Sequence, residues 1–307
     1  MLKGVILAAG HGARLGPFGK QNPKPIIPIA NKPLIIYHIE ILKKLGIEEI
    51  IVVVGHLGYR IIQTLGDGEK FGVKIQYVEQ EKRLGLAHAV GQLEPLIDSP
   101  FILILGDIFF HSPNLHLLVE TFEKEKCACI LATKIEDNIE NIRRNFSVLT
   151  DENNNVIQVI EKPKFPKTNI KGCGIYLFDE SIFEGIHRTP RTALRDEYEL
   201  TDSIQIMSEL GYKVKALPVI EWDVNITFIK DLITCCILEL RRQGKTFIQG
   251  ENSQIGKDCR LLNTVIGNNV TIGDSSELIE CVVLDNVRLP SGTNLSQCVI
   301  SEEGVLE

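Results

Sequence analysis

Short apolar runs alternate with amphipathic stretches over about the first 240 residues of this 307-residue chain, and this alternation restricts the possible folds most strongly. Continuous apolar runs bounded by glycine, proline or charge are typical of strands buried on both faces of a parallel sheet. The predicted strands are residues 5–9, 49–54, 74–79, 101–105 and 128–133. After the first of them, residues 33–45 predict a helix with one apolar face, formed by Leu34, Ile35, His38, Ile41, Leu42 and Leu45. The alternation predicts an open α/β sheet that binds ligands beyond the carboxyl ends of its strands.

A different apolar pattern begins after residue 243. Aliphatic residues recur every six positions at Ile266, Ile272, Leu278 and Leu284, and glycine follows the first two. This period fits neither a helix nor a flat strand, but it is typical of a parallel β-helix in which each short face points one aliphatic side chain inward. We expect about three coils of about 18 residues each. The predicted domains are therefore residues 1–243 and 244–307, with a small antiparallel β domain as the alternative for the second.

The loop after the first predicted strand is rich in glycine and carries two cations. Its notable residues are Ala8, Ala9, Gly10, Gly12, Arg14 and, between two prolines, Lys24. Glycine lets backbone N–H groups approach phosphate oxygens closely, so the loop indicates an anion site. The dinucleotide-binding fingerprint does not fit, because Leu15 stands where it needs glycine. The Walker A motif fails at Arg14 and Gln21.

Charge and cysteine content exclude several classes of protein. Thirty-three Lys and Arg residues against 40 Asp and Glu residues give a net charge of −7, which disfavours non-specific binding to nucleic acid or to an anionic membrane. The eight cysteines form no CxxC pair and have no zinc-ligand spacing with histidine. We find neither a secretory signal nor an apolar stretch of about 20 residues. We therefore expect a reduced, cytoplasmic protein that binds neither nucleic acid nor membrane.

Further motifs follow the glycine-rich loop in order along the chain. They are Gly55-His56-Leu57-Gly58, Gln80, residues 84–90, Leu105-Gly106-Asp107, Glu161-Lys162-Pro163, Gly174-Ile175-Tyr176 and Glu199-Leu200-Thr201-Asp202. Together these motifs resemble the sugar-1-phosphate nucleotidylyltransferases. They are most similar to the glucose-1-phosphate thymidylyltransferase branch in its longer form with C-terminal hexapeptide repeats. The resemblance covers residues 1 to about 240 and implies a Rossmann-like open mixed sheet with helices on both faces, followed by a short left-handed parallel β-helix.

The resemblance also implies a reaction and its partners. A nucleoside triphosphate, dTTP or UTP, and a sugar 1-phosphate, with glucose 1-phosphate as first choice, give a nucleotide-sugar and pyrophosphate. The attack on the α-phosphorus is in line and assisted by Mg²⁺. Two anions must meet while charge builds on the leaving group, so cations and backbone donors supply most of the catalysis. We also expect the chain to form a homo-oligomer.

Positions within the motifs assign roles to individual residues. The implied catalytic set is Arg14 for the triphosphate and leaving pyrophosphate, Lys24 for the α-phosphate, Lys162 for the sugar phosphate and Asp107 for the metal. The implied nucleotide-binding set is Ala8, Ala9, Gly10, Gly12, Gln80 and Gly85, of which the last two read a pyrimidine edge. The implied sugar-binding set is Phe146, Ser147, Glu161, Gly174 and Tyr176. Two residues are candidates for the second metal ligand. The spacing in sequence from Leu232 favours Asn225, whereas residue type favours Asp223, and Asn225 is the first choice.

Three positions depart from the family pattern close to the expected sugar and metal sites. Ser147 stands where relatives have glycine, Gly172 where an aliphatic residue is common, and Ile108 where an asparagine is expected after Asp107. These changes bear on the sugar more than on the reaction type. One alternative function is an inactive homologue that binds a nucleotide-sugar and regulates a partner. An acyltransferase site in the repeats is disfavoured because no histidine follows His187.

Overall fold

A computed structural model of the chain describes residues 2–10, 12–193 and 195–306. Its helices are α1 (Gly16–Gln21), α2 (Leu34–Lys44), α3 (Gly58–Leu65), α4 (Leu86–Gly91), α5 (His116–Glu125), α6 (Ile139–Arg144), α7 (Ile182–Arg188), α8 (Leu200–Glu209) and α9 (Ile229–Arg242). The strands before α9 are β1 (Lys3–Leu7), β2 (Pro28–Ile29), β3 (Lys32–Pro33), β4 (Glu49–Val54), β5 (Lys74–Glu79), β6 (Phe101–Leu105), β7 (Ile108–His111), β8 (Cys129–Ile135), β9 (Phe146–Thr150), β10 (Val156–Glu161), β11 (Ile170–Phe178), β12 (Val214–Leu217) and β13 (Trp222–Asn225). The strands after α9 are β14 (Phe247–Gln249), β15 (Gln254–Ile255), β16 (Arg260–Leu262), β17 (Thr264–Ile266), β18 (Thr271–Ile272), β19 (Glu277–Ile279), β20 (Val282–Val283), β21 (Arg288–Leu289), β22 (Asn294–Ser296), β23 (Val299–Ser301) and β24 (Gly304–Leu306).

The chain divides into two compact units, and the three boundaries between them fall after Gly10, within α2 and within β13. Unit 1 comprises residues 1–10 and 38–223, and unit 2 comprises residues 11–37 and 224–307. This division follows packing alone. The boundary between residues 243 and 244, which the change of apolar pattern predicts, stays a prediction.

Unit 1 is built on a nine-stranded mixed sheet. The strand order is β10-β9-β11-β6-β1-β4-β5, and β8 pairs with β11 and β12. The β6-β1-β4-β5 stretch is parallel, whereas β9, β10 and β11 pair antiparallel. Val5, Val53, Leu103 and Phe178 come from four of these strands and are completely buried in one core. The prediction of an open mixed α/β sheet is therefore confirmed.

In unit 2, β14–β23 are arranged in three parallel stacks. The stacks have the orders β14-β17-β20-β23, β15-β18-β21 and β16-β19-β22, and β24 joins β23 antiparallel. Asn269 and Asn286, at equivalent positions in successive coils, are 17 residues apart, and the strand registers repeat at the same interval. The coil therefore has 17 residues rather than the expected 18.

The shorter coil also changes which residues point inward. Ile266, Ile272, Leu278 and Val283 are buried in one cluster, so two faces advance by six residues and the third by five. Leu284, which the six-residue pattern placed inside, is only partly buried because the shorter face ends one residue earlier. Because one face advances by only five residues, the buried aliphatic residues do not keep a strict six-residue period along the sequence.

Each coil turns its corners with residues in the left-handed backbone region. At one corner Asn252, Asn269 and Asn286 have φ of 56°, 56° and 65°. Asparagine adopts this conformation more readily than most residues with a side chain. The amides also stack, because Nδ2 of Asn269 donates to Oδ1 of Asn286 at 3.1 Å. Asparagine therefore recurs at this corner for two reasons. It tolerates the positive φ, and its side-chain amide can hydrogen-bond to the equivalent residue of the next coil.

Candidate functional site

The candidate site lies at the carboxyl ends of β1 and β6. These strands are parallel neighbours, and the chain leaves β1 for β4 on one side but returns to β6 on the other. Such a reversal opens a crevice at the ends of the strands. The backbone N of Gly106 donates to the O of Leu7 at 2.9 Å, which holds the turn carrying Asp107 against the end of β1.

The first part of the glycine-rich loop belongs to unit 1. The backbone N of Ala8 donates to the O of Val53 at 2.7 Å. Ala9 packs against Gly55, where a Cβ would lie 3.1 Å from the Cβ of Ala9. Gly10 is exposed, and no described atom lies within 4 Å of a Cβ placed there. The two alanines therefore anchor the loop, and Gly10 is the first residue with an open backbone.

The second part of the loop belongs to unit 2, and His11 between the two parts lies outside the described residues. Gly12 has a φ of 61°, a conformation that glycine adopts without strain. A Cβ at Gly12 would lie 3.4 Å from Cγ of Lys24, so the Lys24 side chain runs past this glycine. Arg14 is exposed in a short 3₁₀ turn. The loop brings Gly12 and Lys24 together and leaves Arg14 accessible.

The structure also brings Gln80 and Gly85 together. Nε2 of Gln80 donates to the O of Gly85 at 3.4 Å. Gly85 has a φ of 106°, and a Cβ there would overlap the carbonyl of Tyr198, so glycine is required. Gln80 lines a cleft of about 560 Å³ at the ends of β4 and β5, which includes Gly55, His56, Tyr59 and Arg83. A volume of this size suits a small-molecule ligand.

Glu161 and Lys162 form the centre of a charged cluster at the end of β10. Oε1 of Glu161 lies 3.2 Å from Nζ of Lys162 and 3.4 Å from Nη1 of Arg195. Oγ1 of Thr201 donates to Oε2 of Glu161 at 3.4 Å. The Lys162 side chain is 47% exposed, whereas that of Glu161 is 19% exposed. The carboxylate is thus held in place, and the ammonium group stays accessible to an anion.

Arg195 and Glu199 extend this cluster, and neither was assigned a role from the sequence. Nη1 of Arg195 lies 2.8 Å from Oε1 of Glu199. Burial and the nearby Glu161 raise the pKa of Glu199, and the same two causes raise the pKa of Asp202. Glu199 belongs to a motif that the resemblance identified. Arg195 has no local sequence signal, because it joins the cluster only through the tertiary fold.

The predicted sugar-binding aromatic residues stack on each other. The ring centroids of Phe146 and Tyr176 are 6.0 Å apart, with 12° between the ring planes. Tyr176 is 1% exposed, and burial raises the pKa of its hydroxyl well above the usual value. A Cβ at Gly172 would overlap the Phe146 ring, so this departure from the family pattern makes room for the aromatic side chain. Tyr176 therefore supports Phe146 from within the core.

The other two predicted sugar-binding residues lie on neighbouring strands. Ser147 is 2% exposed and pairs with Lys171 between β9 and β11. Gly174 has a φ of 68° within an irregular part of β11. A Cβ at Gly174 would overlap the Ile108 side chain. Strand β11 is therefore in direct contact with Ile108, the residue that follows Asp107.

Of the predicted metal ligands, Asp223 is engaged with two lysines. Oδ2 of Asp223 lies 2.6 Å from Nζ of Lys171, and Oδ1 lies 3.2 Å from Nζ of Lys134. The Asp223 side chain is completely buried. Burial lowers the pKa of Lys134, but Asp223 and Glu136 outweigh this effect and raise it. Two ammonium groups thus neutralise this carboxylate in the interior.

The remaining metal candidates fit Mg²⁺ better. Asp107 is half-buried in the turn after β6, and Oδ1 of Asn225 is buried. Among the described residues, no group of three or more His, Cys, Asp and Glu side chains is arranged to hold a metal ion. Mg²⁺ is commonly bound by only one or two carboxylates together with substrate phosphates. Asp107 fits this chemistry, whereas Asp223 does not, because its oxygens face ammonium groups.

Comparisons with known proteins show the family to which the chain belongs. The sequence profile of the family described as nucleotidyl transferase matches residues 3–224. A low-salt glycan biosynthesis nucleotidyltransferase of Haloferax volcanii is 39% identical over 223 residues, which cover 72% of this chain and 61% of that protein. A UTP–glucose-1-phosphate uridylyltransferase of the same organism is 33% identical over 75% of this chain and 93% of that protein. A glucose-1-phosphate thymidylyltransferase of Streptomyces antibioticus is 33% identical over 75% of this chain and 67% of that protein.

Solved structures give the same result for the fold. A crystal structure described as a glucose-1-phosphate thymidylyltransferase of Bacillus anthracis, in complex with a sucrose, has a TM-score of 0.68 and 30% identity. It is matched over 78% of this chain and 95% of that chain. A UDP-glucose pyrophosphorylase complexed with UDP-glucose has a TM-score of 0.69 at 24% identity, over 79% of this chain and all of that chain, and supports the fold only. In the described parts of the chain, every helix is too short or too polar to cross a membrane.

Proposed function

Because this chain belongs to the nucleotidyl transferase family, among its sugar-1-phosphate nucleotidyltransferases, we propose that it condenses dTTP or UTP with a sugar 1-phosphate. The products are a nucleotide-sugar and pyrophosphate, and glucose 1-phosphate is the first sugar to test. One observation carries the proposal, and it concerns two adjacent parallel strands, β1 and β6. Gly10, whose backbone is open, follows β1, and the half-buried carboxylate of Asp107 follows β6. This is the position where an α/β sheet binds a phosphorylated ligand.

The proposed chemistry is an in-line attack by the sugar phosphate oxygen on the α-phosphorus. The bond to the β-phosphate breaks, and pyrophosphate leaves with the developing negative charge. Arg14 and Lys24 bind the triphosphate, with backbone N–H groups around Gly10 and Gly12. Lys162 binds the phosphate of the sugar. Their contribution is position and charge, because the two reacting anions repel each other until cations neutralise them.

Asp107 would hold a Mg²⁺ ion, with Asn225 as the second protein ligand. When bound, Mg²⁺ would neutralise phosphate charge in the site. Asp223 is the weaker choice, since its carboxylate already balances Lys134 and Lys171.

Specificity is proposed to depend on unit 1. Gln80 and the backbone at Gly85 read the pyrimidine edge, with Ala8 and Ala9 fixing the loop beneath the nucleotide. Glu161 accepts hydrogen bonds from sugar hydroxyls, and its ion pairs with Lys162 and Arg195 hold it in place. The other sugar-binding residues are Phe146, Ser147 and the Gly174 backbone, and Tyr176 supports the Phe146 ring.

For the rest of the chain, we propose that residues 1–243 form the catalytic domain and 244–307 a short left-handed parallel β-helix. The three parallel stacks and the 17-residue register support this second assignment. We also propose that this segment packs between copies of the chain, which makes the protein a homo-oligomer.

A pyrophosphate-release screen tests the proposed function. Four nucleoside triphosphates are combined with a panel of sugar 1-phosphates, with Mg²⁺ present and absent. We expect release with dTTP or UTP, and loss of release in Asp107→Asn. The matched control is Asp151→Asn, which removes a carboxylate that binds Asn155 in an exposed turn. Nucleotide-sugar binding without release from any pair would instead support the inactive regulatory homologue.

A further inference from the structure

A buried histidine contacts the turn that carries Asp107. His38 lies on α2 and is 1% exposed, and its Nε2 is 2.7 Å from the backbone O of Ile108. A carbonyl oxygen only accepts hydrogen bonds, so Nε2 carries the hydrogen and donates it. Nδ1 is buried and has no hydrogen-bond partner among the described residues, as expected for a neutral ring with one N–H. Burial lowers the pKa of His38 to about 4, so the ring stays neutral near pH 7.

Asp107 thus lies between two residues whose backbones are held by distant parts of unit 1. On one side the N of Gly106 donates to the O of Leu7 at 2.9 Å. On the other side the O of Ile108 accepts from His38. The Ile108 side chain is also fixed, because it occupies the space left by the missing Cβ of Gly174. The carboxylate is therefore carried on a turn with little freedom to rotate.

We propose that His38 is a positioning residue for Asp107. Its Nε2–H fixes the Ile108 carbonyl and thereby aims the Asp107 carboxylate at the metal and the reacting phosphates. This inference rests on the proposed function, since it takes Asp107 as the metal ligand. His38 itself touches no substrate. Its contribution is to keep the turn ordered before the ligands arrive, which lowers the cost of binding them.

The test compares variants that differ in the donor at position 38. His38→Leu fills a similar volume without a donor, and His38→Asn keeps polarity but is too short to reach Ile108. His38→Gln places an amide N–H close to the original Nε2. Ser112→Ala is the matched control. Ser112 lies just beyond the end of β7, and its Oγ donates a hydrogen bond of the same length, 2.7 Å, to the O of Val219.

Two measurements are made on the full chain. The first is amide hydrogen exchange of the peptide spanning residues 105–109 without metal or nucleotide. The second is the Mg²⁺ concentration that gives half-maximal pyrophosphate release, compared with the KM for the sugar 1-phosphate. For His38→Leu and His38→Asn we expect about tenfold faster exchange and an about tenfold higher Mg²⁺ requirement, as when a buried acceptor loses its donor. The sugar KM should change less than about twofold, and His38→Gln should restore both values to within about threefold of wild type.

Several outcomes would overturn the inference. The inference fails if amide exchange at residues 105–109 is unchanged in a folded variant that cannot donate to the Ile108 carbonyl. It also fails if Ser112→Ala raises the Mg²⁺ requirement as much as the His38 variants do. If His38→Leu does not fold, His38→Asn against His38→Gln carries the same comparison. Wild-type protein that releases no pyrophosphate would overturn the proposed function instead, and the exchange measurement would still test whether His38 orders the turn.

Discussion

Nζ of Lys171 lies 2.6 Å from Oδ2 of Asp223, and these side chains are 4% and 0% exposed. Removing the carboxylate would leave Lys171 and Lys134 without their shared counter-charge. An unpaired charge in the interior is costly, so we expect Asp223→Ala to lower the free energy of unfolding by about 3–5 kcal/mol. Urea denaturation of the wild type and the variant measures this difference.

The control for this prediction is an exposed ion pair in the same unit. Nη1 of Arg143 lies 2.6 Å from Oε1 of Glu140, and both side chains are well exposed. Glu140→Ala should cost less than about 1 kcal/mol, because solvent screens the pair. Equal losses in Asp223→Ala and Glu140→Ala would contradict the assignment of Asp223 to a buried structural network.

A second prediction concerns the accessible ammonium group of Lys162. If it binds the sugar phosphate, Lys162→Ala should reduce kcat/KM for the sugar 1-phosphate by about 10- to 100-fold, the usual loss of a charge-assisted contact. Steady-state pyrophosphate release at varied sugar concentration measures this. Lys164→Ala is the matched control, since Lys164 is exposed two residues along the same segment. A similar effect of both changes would indicate general charge attraction in place of a specific phosphate contact.

Much of unit 1 was predictable because most of its central strands are short runs rich in apolar and β-branched residues. The predicted strands 49–54, 74–79 and 101–105 coincide with β4, β5 and β6, whereas β1 begins and ends two residues before the prediction. Alanine at positions 8 and 9 reads as a continuation of β1, but the chain has already turned into the loop there. Strand ends depend on which backbone groups find partners, and local sequence reports this poorly.

The sequence motifs indicate where the candidate site lies, but they do not indicate the contacts that support it. Lys171 and Lys134 are polar residues in apolar strands, and only the fold shows that Asp223 lies between them. Arg195 likewise reaches Glu161 over 34 positions in sequence. The sequence pattern put His38 on the apolar face of its helix, which is confirmed, but it contained no indication that the ring would meet Ile108.

The third prediction uses the fit between Gly172 and Phe146. A Cβ at position 172 overlaps the Phe146 ring, so Gly172→Ala forces the aromatic side chain to move. Overpacking of this kind typically costs about 1–3 kcal/mol, and thermal denaturation should show the loss. The double variant Gly172→Ala with Phe146→Leu should recover part of that stability, because the smaller side chain relieves the overlap. Strictly additive losses would mean that the two residues do not share this space.

The fourth prediction tests the five-residue step in the C-terminal coils. Val283 is 1% exposed, and Leu284 is only partly buried. Val283→Ala should therefore cost about 2 kcal/mol, and Leu284→Ala less than about 1 kcal/mol, although leucine loses more atoms. Denaturation followed by circular dichroism compares the two variants. A larger loss at Leu284 would restore the simple six-residue pattern and contradict the 17-residue coil.

The last prediction follows from the neutral state of His38. Burial lowers its pKa from the usual 6.5 to about 4, so between these values the unfolded chain binds a proton that the folded chain does not. The contribution of the neutral His38 ring to the free energy of unfolding is fully present above pH 6.5 and is lost as the pH falls toward 4. Between pH 7.5 and pH 5 the loss amounts to about 2 kcal/mol. Urea denaturation of wild type and His38→Gln at both pH values isolates the contribution of His38 to this loss of stability. The carboxylates, Glu199 and Asp202 among them, titrate in both proteins, so their effect cancels in the comparison. The wild type should lose about 2 kcal/mol more than the variant on acidification, and parallel losses would show that His38 is already protonated in the folded protein at pH 5.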